Sequence, residues 1–200
     1  MDPIEGKFYR YVIYLSYIGE SAKQVLIFYD SVHSLITKIT ISLRIPQVCI
    51  STAMIFFHNF SLINYVFSSE EDKEETALAC LFLSTKVNNY LISLTRLVPV
   101  YLQVISSIGI TDVSMKEKTL ETISELSERV MEKEFAVLKT IGFDLNVDLP
   151  YVYLEKMKIY FNEHINNDKH IKIIYNFLND SFKLPVSLYY SPLKVSLACI

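Results

Sequence analysis

The chain has 200 residues, a formal net charge of −3 at pH 7, 51% hydrophobic and 20% charged residues, and only 4 glycines and 6 prolines. This composition is typical of a well-packed protein with one large domain or two small ones, and it excludes a disordered or linker-rich chain. No run of lysine and arginine stands out, which disfavours a general nucleic-acid binder. The cysteines lack metal-ligand spacing and are interpreted as core residues of a protein in a reducing compartment: Cys49, Cys80 and Cys199.

Helical spacing of apolar residues dominates the first part of the chain. One stripe predicts a first helix and consists of Val32, Leu35, Ile36, Ile39 and Leu43. Pro46 is predicted to be the first residue of a second helix, which fades at Asn59.

The stretch 45–69 carries no formal charge and is long enough to cross a bilayer. However, His58 and Asn59 stand in its middle, where polar groups would be costly in lipid. A buried helix followed by a loop is the favoured interpretation, and no membrane association is expected.

The third helix is predicted at about 73–87, after a capping Ser69 and acidic residues in the first turn. Residues 77–83 are all apolar, so this helix should lie at the centre of its domain. A fourth helix is predicted at 93–106, disturbed by Pro99, and a fifth at 115–141, ended by Gly142.

A second group of helices follows a short linker. Pro150 begins a helix that reaches about residue 162, residues 166–167 form a turn, and another helix covers 168–182. Ser191 and Pro192 begin a final helix, with the serine as its cap. Residues 77–81 recur weakly as 196–200, which indicates two similar helical units, the second stopping at its third helix.

Two charges occupy positions where apolar residues are expected. Glu134 falls on the apolar stripe of the fifth helix, where a carboxylate is costly unless it finds a cation or donors. Lys86 follows Phe82 by four residues at the end of the most apolar helix. Glu134 could lie at the rim of its stripe, in water, and the stem of Lys86 could cover the core with its ammonium in solvent. Alternatively, the two charges share a surface that binds a partner.

Several segments resemble the cyclin family in the correct order. Residues 45–60 resemble the second helix of a cyclin box, 79–86 the third, and 134–145 the fifth helix and the start of the linker. Asn179-Asp180-Ser181 followed by Tyr190-Ser191-Pro192 is similar to the second box of transcription-type cyclins of the T, K, L and Q groups.

The resemblance implies a kinase-binding site. It places the family's kinase-contacting lysine at Lys86 and its glutamate at Glu134, with apolar interface residues at Leu83, Val87, Leu138 and Phe143. Where cyclins usually follow this lysine with an aromatic or aliphatic residue and two acids, this chain has Val87-Asn88-Asn89. Tyr29 and His58 replace a buried arginine–aspartate pair of cell-cycle cyclins, so His58 is expected to be a core residue.

The expected fold is all-α: one complete five-helix cyclin box followed by a second, incomplete box. The predicted domains are an N-terminal helical extension at 1–31, a first box at 32–142, a linker at 143–149 and a truncated second box at 150–200. A phosphate loop, a metal-spaced cluster and a nucleophile–base arrangement cannot be assembled from the sequence. We therefore expect no enzyme activity, catalytic residue, cofactor or metal.

The resemblance implies a nuclear regulatory subunit that forms a heterodimer with a cyclin-dependent kinase and activates it. The kinase would phosphorylate the C-terminal tail of RNA polymerase II, and no direct contact with nucleic acid is expected. One alternative is a cyclin-fold general transcription factor of the factor B type, which binds DNA and polymerase. Another is a scaffold that binds a kinase without activating it.

Overall fold

The computed structural model describes residues 22–64, 67–107, 120–160 and 168–200. Within these ranges every regular element is helical: α1 (Ala22–Leu43), α2 (Gln47–Ile63), α3 (Glu70–Val87), α4 (Leu94–Ser107), α5 (Leu120–Thr140), α6 (Tyr151–Tyr160), α7 (Asp168–Ser181), a 3₁₀ turn (Pro185–Leu188) and α8 (Pro192–Ala198). The all-α prediction is confirmed. Most of the predicted extension at 1–31, the start of the fifth helix at 115 and the turn at 166–167 lie outside the described residues.

The chain divides into two compact units. One covers Asp30–Leu145; the described part of the other comprises residues 22–29, 146–160 and 168–200. The division falls within α1, between Tyr29 and Asp30. The domain boundaries predicted at 31, 142 and 149 stay predictions.

Helix α3 lies at the centre of the larger unit. The residues from Ala77 to Leu81 are completely buried, and α3 packs most extensively against α2 and α5, with further contacts to α4. The stripe of α1 is buried as its spacing predicts, with Ile36 and Ile39 fully covered. A helix that is apolar on every face has to be surrounded in this way.

Three charged residues near the start of α3 are buried, Lys73, Glu74 and Glu75, and Asp72 before them is half-buried. Arg129 Nε of α5 donates to Glu75 Oε1 at 3.0 Å, and Lys133 pairs with Asp72. Tyr101 of α4 donates its hydroxyl to Glu74 Oε2 at 3.1 Å, while burial raises the pKa of that carboxyl. These contacts compensate the burial of charge and tie α3 to its neighbours.

Some helix ends lie where the sequence predicts them, and others do not. The Asp72 amide donates to Ser69 Oγ at 3.1 Å, so the predicted cap of α3 forms. Gly142 ends α5 with φ at 65°, a value that glycine adopts without strain. Pro46, predicted to be the first residue of α2, is instead its N-cap, because its ψ of 148° is extended. Asn59 does not end α2, since its amide donates to the Ile55 carbonyl and the helix continues to Ile63.

The smaller unit has its own core, formed where α6, α7 and α8 meet: Leu154, Ile174, Leu178 and Val195. Ser196 of α8 donates its hydroxyl to the Pro150 carbonyl at 2.6 Å. Pro192 opens α8 as predicted, but the preceding Ser191 makes no capping hydrogen bond with its side chain. Ser191 therefore occupies the predicted N-cap position, but its side chain does not cap the helix.

Within the described ranges, no helix is both long and apolar enough to cross a bilayer. His58, in the middle of the uncharged stretch, is fully buried in α2.

Candidate docking surface

Lys86 and Glu134 form an ion pair with each other. The Lys86 ammonium lies 2.7 Å from Glu134 Oε1 and 2.8 Å from Oε2, so it bridges both carboxylate oxygens. Glu134 is 8% exposed, whereas 42% of the Lys86 side chain remains accessible. Glu134 is therefore not at a wet rim of its stripe; it is buried and depends on Lys86.

The local sequence positions both charges. Lys86 stands in the last turn of α3, where a cation is favourable at the negative end of the helix dipole. Its ammonium lies 3.9 Å from the centroid of the Phe82 ring, one turn earlier. Glu134 is held between Val130 and Val137, two fully buried residues of the α5 stripe. The solvent-accessible part of the pair is thus mainly Lys86.

The other four predicted site residues differ in exposure. Leu83 is buried, at 3% exposed, while Val87 and Leu138 are half-buried. Phe143 is 59% exposed and adopts a φ of 59°, a left-handed conformation that is strained for an aromatic residue. Val87, Leu138 and Phe143 can therefore meet a partner directly, and Leu83 supports the surface from below.

Three further residues belong to this surface although the sequence did not single them out. Met131 and Phe135 of α5 are exposed large apolar residues, at 48% and 52%. The Lys139 ammonium lies 4.3 Å from the centroid of the Phe135 ring, and this ring makes an edge contact with Phe143 at 6.4 Å. Met131, Phe135 and Lys139 follow one another at intervals of four residues, which places them on one face of α5, and this spacing was the available signal.

The two asparagines after Val87 take part in closing the end of α3. The Asn88 side-chain amide donates to the Ser84 carbonyl at 2.8 Å and to Thr52 Oγ1 of α2 at 3.1 Å. Asn89 has a φ of 56°, which asparagine tolerates better than most residues. Asn88 thus has a structural role at the position where the family usually carries an acid.

The buried reactive groups are in unreactive states. Burial raises the pKa of the Cys49 thiol to about 11 and that of Cys80 further, so both thiols stay protonated at neutral pH. His58 is neutral because burial, and then the charge of His33, lower its pKa to about 3. In the part of the chain that the structure describes, no cluster of His, Cys, Asp and Glu could hold a metal ion.

The chain is similar to known proteins in sequence and in structure. No protein-family profile matches the chain. Cyclin-T1-5 of Arabidopsis thaliana is 30% identical over 158 residues, covering 79% of this chain and 26% of the relative. Cyclin pch1 of Schizosaccharomyces pombe is 28% identical over 174 residues, covering 82% and 46%, and Cyclin-L2 of Mus musculus is 23% identical over 169 residues, covering 80% and 30%. The chain spans between a quarter and a half of the length of these relatives.

Solved structures give the same fold. A chain of the yeast RNA polymerase II CTD kinase complex CTDK-1 matches with a TM-score of 0.74 and 17% identity, covering 90% of this chain and 55% of that one. A chain of the yeast TFIIK complex, Kin28/Ccl1/Tfb3, matches with a TM-score of 0.56 and 20% identity, covering 86% and 70%. The cyclin resemblance of the sequence is confirmed: the chain is similar in sequence to cyclins of the T, L and pch1 types, and it shares its fold with chains of the CTDK-1 and TFIIK complexes.

Proposed function

We propose that this chain is the regulatory subunit of a cyclin-dependent kinase and activates it by docking through α3 and α5. The observation that carries the proposal is the ion pair between Lys86 and Glu134, because it forms where the family resemblance places the two kinase-contacting charges. The half-exposed Val87 and Leu138 and the exposed Phe143 supply apolar area beside it. Apolar area of this kind gives affinity, and the charges fix orientation.

Activation requires no chemistry from this chain. A kinase alternates between inactive and active arrangements of its mobile C-helix and activation segment. A subunit that binds the active arrangement more tightly shifts the population toward it by the difference in binding free energy. The chain is therefore proposed to be a non-enzyme that acts as a heterodimer with its kinase.

The substrate and location follow from the relatives and are part of the same proposal. The structural neighbours belong to complexes named as RNA polymerase II CTD kinase and TFIIK. We propose that the kinase phosphorylates the C-terminal tail of RNA polymerase II in the nucleus. A kinase assay on a polymerase-tail peptide, with and without the chain, tests the substrate; a salt-dependent DNA-binding assay tests the factor B alternative.

Charge reversal tests the docking surface. Lys86→Glu and Glu134→Lys should each weaken binding at least about 100-fold, since each leaves a charge without its partner in the interface. Binding is measured by calorimetry against each cyclin-dependent kinase of the source cells, purified separately. Lys172→Glu in α7 is the matched control for Lys86→Glu, because Lys172 is exposed and the substitution changes the net charge by the same amount.

The double variant Lys86→Glu/Glu134→Lys separates docking from folding. It can re-form the internal ion pair with reversed polarity, so helicity and unfolding midpoint should return toward wild type. Kinase binding should stay lost, because the charges presented to the partner are inverted. If the double variant binds like wild type, the pair is structural only and the proposed docking role is wrong.

A further inference from the structure

The apolar surface of α5 extends beyond the residues assigned to the kinase contact. Glu134 and Phe135 are neighbours in sequence, and Leu138 lies one turn after both, so it connects the ion pair to the Phe135 ring. Met131 precedes Phe135 by one turn, and Phe143 contacts its ring. We call Met131, Phe135 and Lys139 the aromatic patch, which Phe143 of the docking surface borders.

The two aromatic rings at this site are largely exposed to solvent. Phe135 and Phe143 are both more than half accessible, and Phe143 keeps a strained backbone conformation next to Gly142. Exposed aromatic residues at a protein surface are typical anchors of interfaces.

The charges around the Phe135 ring determine which partner side chains can pack on it. Glu132 is exposed and precedes Phe135 by three residues, while Lys139 lies over the ring. Lys86 neutralises Glu134 at the adjoining edge. The Lys139 end of the patch is thus suited to a carboxylate, and the ring to an aliphatic or aromatic side chain.

We infer that the aromatic patch selects the partner kinase by taking a surface segment of the kinase that offers an apolar side chain followed by an acidic one. This inference rests on the proposed function, because the patch is continuous with the docking surface through Leu138. In this arrangement the ion pair sets the common orientation, and the patch discriminates between kinases that differ in that segment.

Truncation of the ring is the first test. Phe135→Ala should weaken binding to the partner kinase about tenfold or more, mostly through faster dissociation. Phe177→Ala in α7 is the matched control, since Phe177 is 61% exposed and lies in the other unit. Both variants should fold normally, because neither ring is part of a core. Binding is followed by surface plasmon resonance against the same purified kinases.

Replacement of the cation is the second test. Lys139→Met keeps an apolar stem and should reduce the salt dependence of association, whereas Lys139→Glu should weaken binding more strongly. If Lys139→Glu behaves like the control Lys172→Glu, the acidic part of the inference is overturned.

The outcomes distinguish this inference from the proposed function. If Lys86→Glu abolishes binding and Phe135→Ala does not change it, the patch is not part of the interface and only the inference fails. If the wild-type chain binds none of the kinases, both fail. If the chain forms dimers that Phe135→Ala dissociates while kinase binding is unchanged, the occupant is a second copy and the inference is overturned.

Discussion

The carboxylate of Glu134 is buried, and the ammonium of Lys86 is the main charge that compensates its burial. Both of its oxygens accept from the Lys86 ammonium, and such charge-assisted contacts are among the stronger hydrogen bonds in proteins. Loss of the lysine would leave the carboxylate covered without a cation, at a cost of about 1–3 kcal/mol in stability. Single variants at these positions therefore mix folding and docking effects, and the reversed double variant separates them.

His58 provides a prediction about pH. Burial lowers the pKa of its imidazole from 6.5 to about 3, with the charge of His33 as the second cause. Below pH 6.5 the unfolded chain binds a proton that the folded chain does not bind until pH falls to about 3. Stability should therefore decrease as pH falls through this window, by up to about 1.4 kcal/mol per pH unit from this group.

The measurement is urea unfolding at several pH values between 7 and 5, for wild type, His58→Gln and His58→Leu. Both variants lack the imidazole, so both should lose this part of the slope regardless of their own stability. Profiles that run parallel to wild type would show that His58 does not control the acid sensitivity.

At the scale of the element, the end of α3 depends on Asn88. Its amide donates to Ser84 and Thr52, and a carboxylate cannot donate to a carbonyl. Asn88→Asp, which places an acid where the family usually has one, should cost about 1–2 kcal/mol at pH 7. Chemical denaturation measures this loss, and Asn176→Asp on the exposed face of α7 serves as the control. Equal stability of the two variants would contradict the capping role.

The helices themselves follow from local sequence signals. Ser69, the acids after it, the apolar run of α3 and Gly142 each act within a turn or two, and all were interpreted correctly. The end of α2 predicted at Asn59 is too early, since the helix continues to Ile63. In the structure the Asn59 amide bonds back to its own helix, and packing of the following residues extends it.

At the scale of the whole molecule, all predicted kinase-binding residues lie between 83 and 143, within the unit Asp30–Leu145. We expect a fragment of residues 22–149 to fold cooperatively and to bind the kinase within a few-fold of the full chain. Circular dichroism during thermal unfolding and calorimetry with the kinase check this. Loss of binding by a well-folded fragment would show that the other unit contributes to the interface.

Contacts between distant residues are what the sequence could not predict. The apolar periodicity identified Lys86 and Glu134 as unusual charges. It could not show that they pair with each other, because they are 48 residues apart in the sequence. The inward orientation of Asn88 depends on Thr52 of another helix, and the aromatic patch depends on how α5 turns into Phe143. Such features arise only when helices are packed, because no local pattern encodes the neighbour.

Consecutive residues of α5 hold opposite ends of α3: Lys133 pairs with Asp72 in the first turn, and Glu134 pairs with Lys86 in the last. A rotation of α5 about its axis would therefore lengthen both ion pairs at once, so the two pairs together resist that rotation. The proposed docking surface is consequently held in place. If a kinase docks there as proposed, we expect the rearrangement to occur in the kinase rather than in this chain.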